Sequence, residues 1–562
     1  MSYVFWQYTW IFFILLLLAW GLGKYLYWAF WNEGHSKLSR VYERIEKLIY
    51  RMAGIRSLDG MNWKIYCGAL LMVNAVLLGL SYLLLRVQHA LPLNGAKAEN
   101  MEPTLAFNTV ISFMTNTNLQ HYSGESGLSI LSQMLFVTMM MFTSAATGLA
   151  VAIALIRVLG TRGKTIGNFY QDFIRSIIRV LLPLAVIVTI LLIAAGVPQT
   201  FTARTTVAAL EGGTQTLALG PVASLESIKH LGTNGGGFFG ANSSHPFENP
   251  TPFTNIVEML SMWCIPAALP FTYGYVVKKR RQGIVLFITM FALFAFMLSI
   301  VYIAEKSGNP FVGRLGFSLD QGNMEGKEVR FGIPLSSLFT AITTSATTGS
   351  VNNMHDSLTP IGGLVPLALM MLNNVFGGDG VGFVNIIMYA MLAVFLSGLM
   401  VGRTPEFLGR KIEPREMKLI VVALLVHPLI ILVPSAIALM THLGTEAISN
   451  PGFHGISQVV YEYTSSAANN GSGFEGLQDN TPFWNISTGI VMLLGRYVSI
   501  IAMLAVAGSL VMKQPSPVTS GTFRTDTITF ASILFATVLI IGALTFFPVL
   551  MLGPIAEYLT IH

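Results

Sequence analysis

Apolar runs of about twenty residues recur from one end of the chain to the other, separated by basic stretches and longer polar segments. A helix needs a run of that length to cross a hydrocarbon layer. The pattern predicts spans near 3–30, 65–86, 130–156, 173–196, 253–277, 283–304, 363–402, 417–441, 483–511 and 527–557. The seventh is overlong, and Gly377-Gly378-Asp379-Gly380-Val381-Gly382 interrupts it. Glycines so dense cannot hold a regular helix cheaply, so a broken span is expected there, and such a break suits a gate. No basic residue precedes the opening run, Tyr3 to Trp20, which reads as a retained first span rather than a leader.

Four of the intervening segments share a second pattern. Each holds a short apolar stretch, near 104–114, 222–231, 335–346 and 456–468, too short to span and of re-entrant length. Each stretch runs into a small polar knot: Asn116-Thr117-Asn118, Thr233-Asn234-Gly235, Thr347-Thr348-Gly349 and Asn469-Asn470-Gly471. The last residues of the knots are separated by 117, 114 and 122 positions, which marks an internal repeat. The expected fold is therefore an all-α polytopic membrane protein. About ten transmembrane helices would carry four span–pore loop–span repeats, with pseudo-fourfold symmetry around one ion pathway.

Irregular backbone at membrane depth is tolerated where it is buried in protein or lines a watery cavity. Four such knots can present carbonyl oxygens that replace the water shell of a cation. Aligning successive carbonyls calls for residues that tolerate positive φ. Gly235, Gly349 and Gly471 are expected to supply them in three loops and Asn118 in the fourth. The second knot residues, Thr117, Asn234, Thr348 and Asn470, are uncharged, which suits a large monovalent ion better than a divalent one. A plain repeat of helix hairpins is the structural alternative.

Composition agrees with a membrane protein and excludes other classes. Of 562 residues, 53% are hydrophobic and only 11% are charged, far below a soluble enzyme. The net charge of +6 reports topology before it reports any nucleic acid. Lys37, Arg40, Arg44, Lys47, Arg51 and Arg56 follow the first span, and Lys278, Lys279, Arg280 and Arg281 follow the fifth. The positive-inside rule then puts both termini and the long loops on the outer side. Cys67 and Cys264 sit in apolar runs without ligand neighbours. Gly163-Lys164-Thr165 ends like a phosphate loop, but Val158 stands where the first glycine belongs, so the chain should not bind nucleotide there.

A few polar residues stand out within or beside spans. Arg496 lies near the middle of the ninth, where it either flanks an inner cavity or pairs with a carboxylate or carbonyl end. Asp379, in the glycine-rich break, is a cation contact or a helix N-cap. Arg403 sits at the inner end of the seventh span, a routine place for a basic residue. His245 and Glu248 lie between prolines and read as an outer turn rather than a metal pair. Met324-Glu325-Gly326-Lys327-Glu328 reads as an exposed charged loop.

Several long motifs, in order, then carry a family resemblance. They are Leu231-Gly232-Thr233-Asn234-Gly235-Gly236-Gly237-Phe238-Phe239, Ala241-Asn242-Ser243-Ser244-His245-Pro246-Phe247-Glu248-Asn249-Pro250, Asn323-Met324-Glu325-Gly326-Lys327-Glu328, Gly402-Arg403-Thr404-Pro405-Glu406, Arg415-Glu416-Met417-Lys418, Ser465-Ser466-Ala467-Ala468-Asn469-Asn470-Gly471 and Gly553-Pro554-Ile555-Ala556-Glu557-Tyr558. Over essentially its full length the sequence resembles the A-subunit family of the Kdp potassium-transporting ATPases, members of the potassium-channel-like transporter superfamily. The resemblance implies a bacterial inner-membrane subunit that binds potassium from the periplasm. It further implies a separate P-type ATPase subunit, B, that uses the ATP, together with a C and a small F subunit.

By the same resemblance the four knots are the potassium filter, and Gln120 at the filter mouth bears on ion affinity. The resemblance places the interrupted helix, with Gly377, Gly378, Asp379 and Gly380, and Arg403 in gating or coupling, and Arg496 is grouped with them by its place in the ninth span. Below the filter the ion would turn sideways into the ATPase subunit. Leu119 departs from relatives that often carry an aromatic residue there. No covalent cofactor and no nucleic acid partner is expected; lipid is. The expected units are an extra span and basic loop at 1–62, pore repeats at 63–160, 161–280, 281–410 and 411–515, and an extra span at 516–562. The main rival is a gradient-driven potassium channel or transporter gated by a soluble nucleotide-binding partner. An integral-membrane lipid enzyme ranks lower, because no convergent catalytic set is visible.

Overall fold

The computed structural model describes residues 2–31, 36–161, 163–400, 402, 404–514, 516 and 523–561. In chain order its main elements are α1 (Ser2–Trp31), α2 (Lys37–Met52), α3 (Trp63–Arg86), α4 (Pro103–Met114), α5 (Ile130–Gly160), α6 (Phe169–Ala194), the hairpin β1–β2 (Arg204–Ala208 and Thr214–Ala218), α7 (Val222–Leu231) and α8 (Pro252–Val276). They continue with α9 (Arg280–Ser307), α10 (Gly332–Ser345), α11 (Pro360–Leu372), α12 (Val381–Met400), α13 (Pro414–Met440), α14 (Phe453–Ala468), α15 (Pro482–Val511) and α16 (Ile528–Ile561). Among the described residues, α1, α3, α5, α6, α8, α9, α12, α13, α15 and α16 are long and apolar enough to cross a membrane.

The repeat visible in the sequence organises these elements. An outer span, a short helix, a loop and an inner span follow one another four times: α3-α4-α5, α6-α7-α8, α9-α10-α11/α12 and α13-α14-α15. In the third unit the inner span is broken into α11 and α12, as the glycine-rich stretch predicts. Burial separates inner from outer. The apolar windows of α5, α8 and α12 are 89%, 78% and 72% buried, against 28% for each of α3, α6 and α13. The spans that follow the loops therefore surround the axis, and most of those that precede them face outward.

Local chemistry fixes where each inner helix starts. Ser129, Thr251, Thr359 and Thr481 each accept a hydrogen bond from the backbone N–H three residues on, at 3.1, 3.2, 3.2 and 3.4 Å. A hydroxyl N-cap contributes about 1 kcal/mol. Pro252, Pro360 and Pro482 occupy the first helical turn in three of the four, where the missing N–H costs nothing. The same cap at the same place in all four units is independent evidence of the repeat.

Two outer features differ from the expected picture. Arg204–Ala208 pairs with Thr214–Ala218 as a hairpin, turned through Gly212 and Gly213 at φ 87° and 84°. The segment around Lys327 is not simply exposed. Lys327 is buried, with its Nζ 2.6 Å from Glu305 at the end of α9. The charge was legible, but its partner lies 22 positions upstream, and only the fold brings the two together. On the opposite side, α2 is held to α6 by buried Glu46, which bonds Arg179 at 2.5 Å and Arg175 at 3.5 Å.

Candidate functional site

The four short helices end in the same way. Thr117, Asn234, Thr348 and Asn470 each donate their backbone N–H to the carbonyl five residues earlier, on Ser112, Lys229, Thr343 and Ser465, at 2.8–2.9 Å. The residue before each donor is left-handed: Asn116 at φ 66°, Thr233 at 49°, Thr347 at 47° and Asn469 at 56°. This six-to-one closure turns the chain sharply off a helix end and satisfies an orphan carbonyl. A positive φ thus falls on the first residue of every knot, which residue identity does not signal. Asn118, Gly349 and Gly471 are also left-handed, at 56°, 84° and 105°, whereas Gly235 is not.

Gly235 is required for space instead. A Cβ there would lie 2.6 Å from the Thr117 carbonyl oxygen, 2.7 Å from that of Asn470 and 2.8 Å from the Gly471 Cα. At Gly349 a Cβ would lie 2.7 Å from the Gly235 Cα, and at Gly471 it would lie 3.0 Å from that same atom. The backbones of all four loops therefore converge on one place, too close for side chains. Main-chain carbonyls from opposite ends of the sequence meet there.

Side-chain amides tie the loops into a ring. Asn116 donates to the carbonyls of Gly232 and Thr233 at 3.0 and 2.9 Å. Asn469 donates to the Thr117 hydroxyl at 3.0 Å, and Asn470 to the Thr343 carbonyl at 3.0 Å. Asn242 donates to the Gly235 carbonyl at 2.8 Å and accepts from Ser350, beyond the third knot, at 3.2 Å. Gln120 pairs with the Gly237 backbone, accepting its N–H at 3.0 Å and donating to its carbonyl at 3.3 Å. Satisfied polar networks of this kind hold a buried backbone to one geometry.

Behind the second loop the support is ionic. The Lys229 ammonium meets Glu226 at 2.8 Å and Glu248 at 3.0 Å, all three without solvent exposure. The other oxygen of Glu248 accepts the Phe239 N–H at 2.7 Å. Glu248 is thus a support of the loop, while His245 stacks on Phe239 with ring centroids 3.7 Å apart.

The broken helix sits directly against the second and third knots. Thr347 accepts the Gly378 N–H at 2.8 Å, and Thr233 accepts the Asp379 N–H at 2.9 Å. Positive φ is costly for β-branched threonine. These two hydroxyls give such a costly choice a purpose, because each holds an N–H that the break leaves unpaired. Gly380, at φ 84°, packs against the Gly148 backbone of α5. The Asp379 carboxylate is buried, and both its oxygens lack a hydrogen-bond donor, so it is not an N-cap. Arg496 donates to the Ser144 carbonyl at 3.0 Å, on a residue whose hydroxyl bonds Asn116 at 2.8 Å. Arg403 lies outside the described residues.

With this geometry in view, comparison with known proteins decides the family. Residues 9–559 match the family model described as the potassium-transporting ATPase A subunit. The chain belongs to that family. It is 82% identical, over the full length of both chains, to the potassium-transporting ATPase potassium-binding subunit of Geobacillus kaustophilus (strain HTA426). The crystal structure of the potassium transporter TrkH from Vibrio parahaemolyticus has a similar fold. Its TM-score is 0.52 at 14% identity, covering 87% of this chain and 96% of that one. As a member of the family, the chain is a multi-pass membrane protein of potassium transport.

Residues of all four knots, Thr117, Gly235, Gly349, Asn470 and Gly471, approach one place. Gln120 bonds the Gly237 backbone just past the second knot, and the break bonds the first residues of the second and third knots. Leu119 fills the mouth as a buried residue packed with Ile111 and Met492. Sequence reading missed Asn242, Ser144 and the Lys229 cluster. Asn242 lay inside a quoted motif, but nothing at its position signals that its amide reaches seven residues back to a knot carbonyl.

Proposed function

We propose that this chain binds and selects potassium for an ATP-driven importer in a bacterial plasma membrane. Potassium enters from the outer side, sheds water against uncharged main-chain oxygens of the four knots, and passes to a separate P-type ATPase subunit. The observation that carries this reading is the convergence of Thr117, Gly235, Gly349, Asn470 and Gly471 on one axis. Neutral carbonyls suit a monovalent ion of low charge density. Family membership, and the name of the 82% identical relative, favour this reading over a gradient-driven transporter. The basic residues after the odd-numbered spans support an outward position for both termini.

The sequence offers no complete nucleotide-binding motif, so ATP would be used by the B partner, with C and F completing the assembly. Asp379 and Arg496 would shape the route below the filter. The buried, donor-free Asp379 attracts a cation arriving from above, and Arg496 opposes a straight exit. The test is co-purification with the ATPase subunit followed by potassium titration of ATP hydrolysis. Wild-type complex should be potassium-stimulated. Gly235→Asp, which places a side chain and a charge against the Thr117 and Asn470 carbonyls, should lose stimulation and discriminate poorly against smaller ions. Unchanged stimulation in that variant would remove the filter assignment.

A further inference from the structure

At the mouth of the filter, His121, Glu462 and Asp479 bring three metal-ligating atoms within 4.8 Å of one another. They come from distant parts of the chain. His121 follows the first knot, Glu462 lies on α14, and Asp479 follows the fourth knot. The imidazole Nδ1 is 2.7 Å from the Asn485 side-chain oxygen, whose orientation is fixed because the Asn485 amide nitrogen reaches the Thr104 hydroxyl at 3.2 Å and the Asn480 oxygen at 3.4 Å. Nδ1 is therefore the donor, which leaves Nε2 facing the two carboxylates. A carbonyl holding the far nitrogen in this way is the usual second partner of a metal-bound histidine.

The spacing is wider than that of a close ion pair, though within the 2.8–3.8 Å spread of histidine–carboxylate pairs elsewhere in the chain. Nε2 lies 3.3 Å from Glu462 and 3.7 Å from Asp479. Charge-assisted N–H···O bonds run near 2.7–2.9 Å, and His454 in this protein approaches that, at 3.0 Å from both Asp356 and Glu557. Zinc bonds of about 2.0–2.2 Å set tetrahedral ligand atoms about 3.3–3.6 Å apart. The gap from His121 to Glu462, 3.3 Å, falls in that range, and the gap to Asp479, 3.7 Å, lies just above it. Asp479 is partly exposed and stands, with Gln478, Asn480 and Thr481, at the polar edge of an open cavity of about 930 Å³ that is otherwise lined largely by apolar side chains such as Leu443, Phe483 and Ile486.

We propose that His121, Glu462 and Asp479 form a divalent transition-metal site, of zinc type, that bridges the first and fourth pore loops at the filter entrance. One histidine nitrogen and two carboxylate oxygens supply three ligands, and the cavity supplies water for a fourth. Binding displaces any proton on Nε2 to solvent. Occupancy would clamp the first loop to α14, beside the path by which ions reach the knots.

The other metal-like group among the described residues, Glu226, His230 and Glu258, is fully enclosed and already has Lys229 against Glu226. It is therefore the poorer candidate.

The test measures zinc binding to the purified complex by calorimetry, and cobalt binding by the visible absorption of tetrahedral Co²⁺. One saturable site is expected whose affinity falls at least about tenfold in Asp479→Asn and in His121→Gln, with the tetrahedral cobalt bands lost. Weak binding at exposed pairs such as His442–Glu446 should persist in every variant. If His121→Gln fails to fold, Asp479→Asn decides, because that side chain is partly exposed. Absence of a saturable site, or equal affinity and unchanged cobalt bands in folded Asp479→Asn, overturns the proposal and leaves a plain ion pair. The readout is metal binding itself, so it stands apart from potassium selectivity.

Discussion

The first and second pore loops turn through the same closure, yet the short helices behind them rest on different kinds of support. The second is backed by Lys229 between Glu226 and Glu248, all enclosed. Along the first pore helix the contacts are neutral, with Asn108 donating to the Asn485 carbonyl and the Thr488 hydroxyl at 2.8 and 2.7 Å and Ser112 donating to the Leu119 carbonyl at 3.1 Å. The charged groups there, His121 with Glu462 and Asp479, stand beyond the knot rather than behind it. The backbone geometry recurs because the ion site needs four matching arms. The scaffold is free to differ, provided most buried polar groups find a partner. A loop held by charges should be the more brittle of the two, since removing one partner strands the others.

The largest effect therefore belongs to Lys229→Met. It leaves two carboxylates buried without their cation, a change that typically costs about 3–5 kcal/mol. Thermal unfolding in detergent should show a marked loss of stability, and adding Glu226→Gln and Glu248→Gln should restore most of it. Asn108→Ala, in the first loop, should cost only about 1–3 kcal/mol. Equal losses at the two positions would erase the distinction between charged and neutral scaffolds.

Gly235→Ala comes next, and it tests the axis rather than the scaffold. Its methyl would press on backbone atoms of the first and fourth loops at 2.6–2.8 Å. Overpacking of this kind costs about 1–3 kcal/mol, which corresponds to potassium binding weaker by about 5- to 150-fold. A potassium titration of the complex reads it directly. An affinity within twofold of wild type would mean that the loops have room to part.

A smaller effect is expected at the junction between filter and break. Thr347→Val keeps the shape of the side chain but removes the acceptor of the Gly378 N–H. The loss should be about 1 kcal/mol. It should appear as faster hydrogen exchange across Gly377–Gly380, with potassium affinity little changed. If exchange there stays as slow as in wild type, the threonine does not hold the break.

These expectations show which features the sequence could reveal. Ten spans, four short helices and the broken seventh span follow from run length, period and glycine density, all local properties. The knots were visible because each repeats at nearly constant spacing behind an apolar stretch. Residue identity points to positive φ at the last residue of each knot, and Asn118, Gly349 and Gly471 have it while Gly235 does not. What residue identity does not signal is the six-to-one closure, which also forces Asn116, Thr233, Thr347 and Asn469 into the left-handed region. Partnerships across long separations were illegible. Asn116 with Thr233, Asn108 with Asn485, and His121 with Glu462 depend on how the repeats face one another, and no local pattern encodes that.

The finest test of the comparison makes the first loop more like the others. Asn118 is the one corner without glycine, and its side-chain amide is buried with neither the oxygen nor the nitrogen hydrogen-bonded. Its φ of 56° is one that glycine adopts freely. Asn118→Gly removes an unsatisfied polar group and a left-handed strain, and adds unfolded-chain entropy of about 0.4–1 kcal/mol in the opposite sense. These contributions nearly cancel, so folding stability should move by no more than about 1 kcal/mol. If carbonyl geometry alone selects the ion, potassium affinity should also stay within a few-fold of wild type. A loss as large as that of Gly235→Ala would instead give the Asn118 amide a direct part in holding the ion, making the first loop chemically distinct at the site as well as behind it.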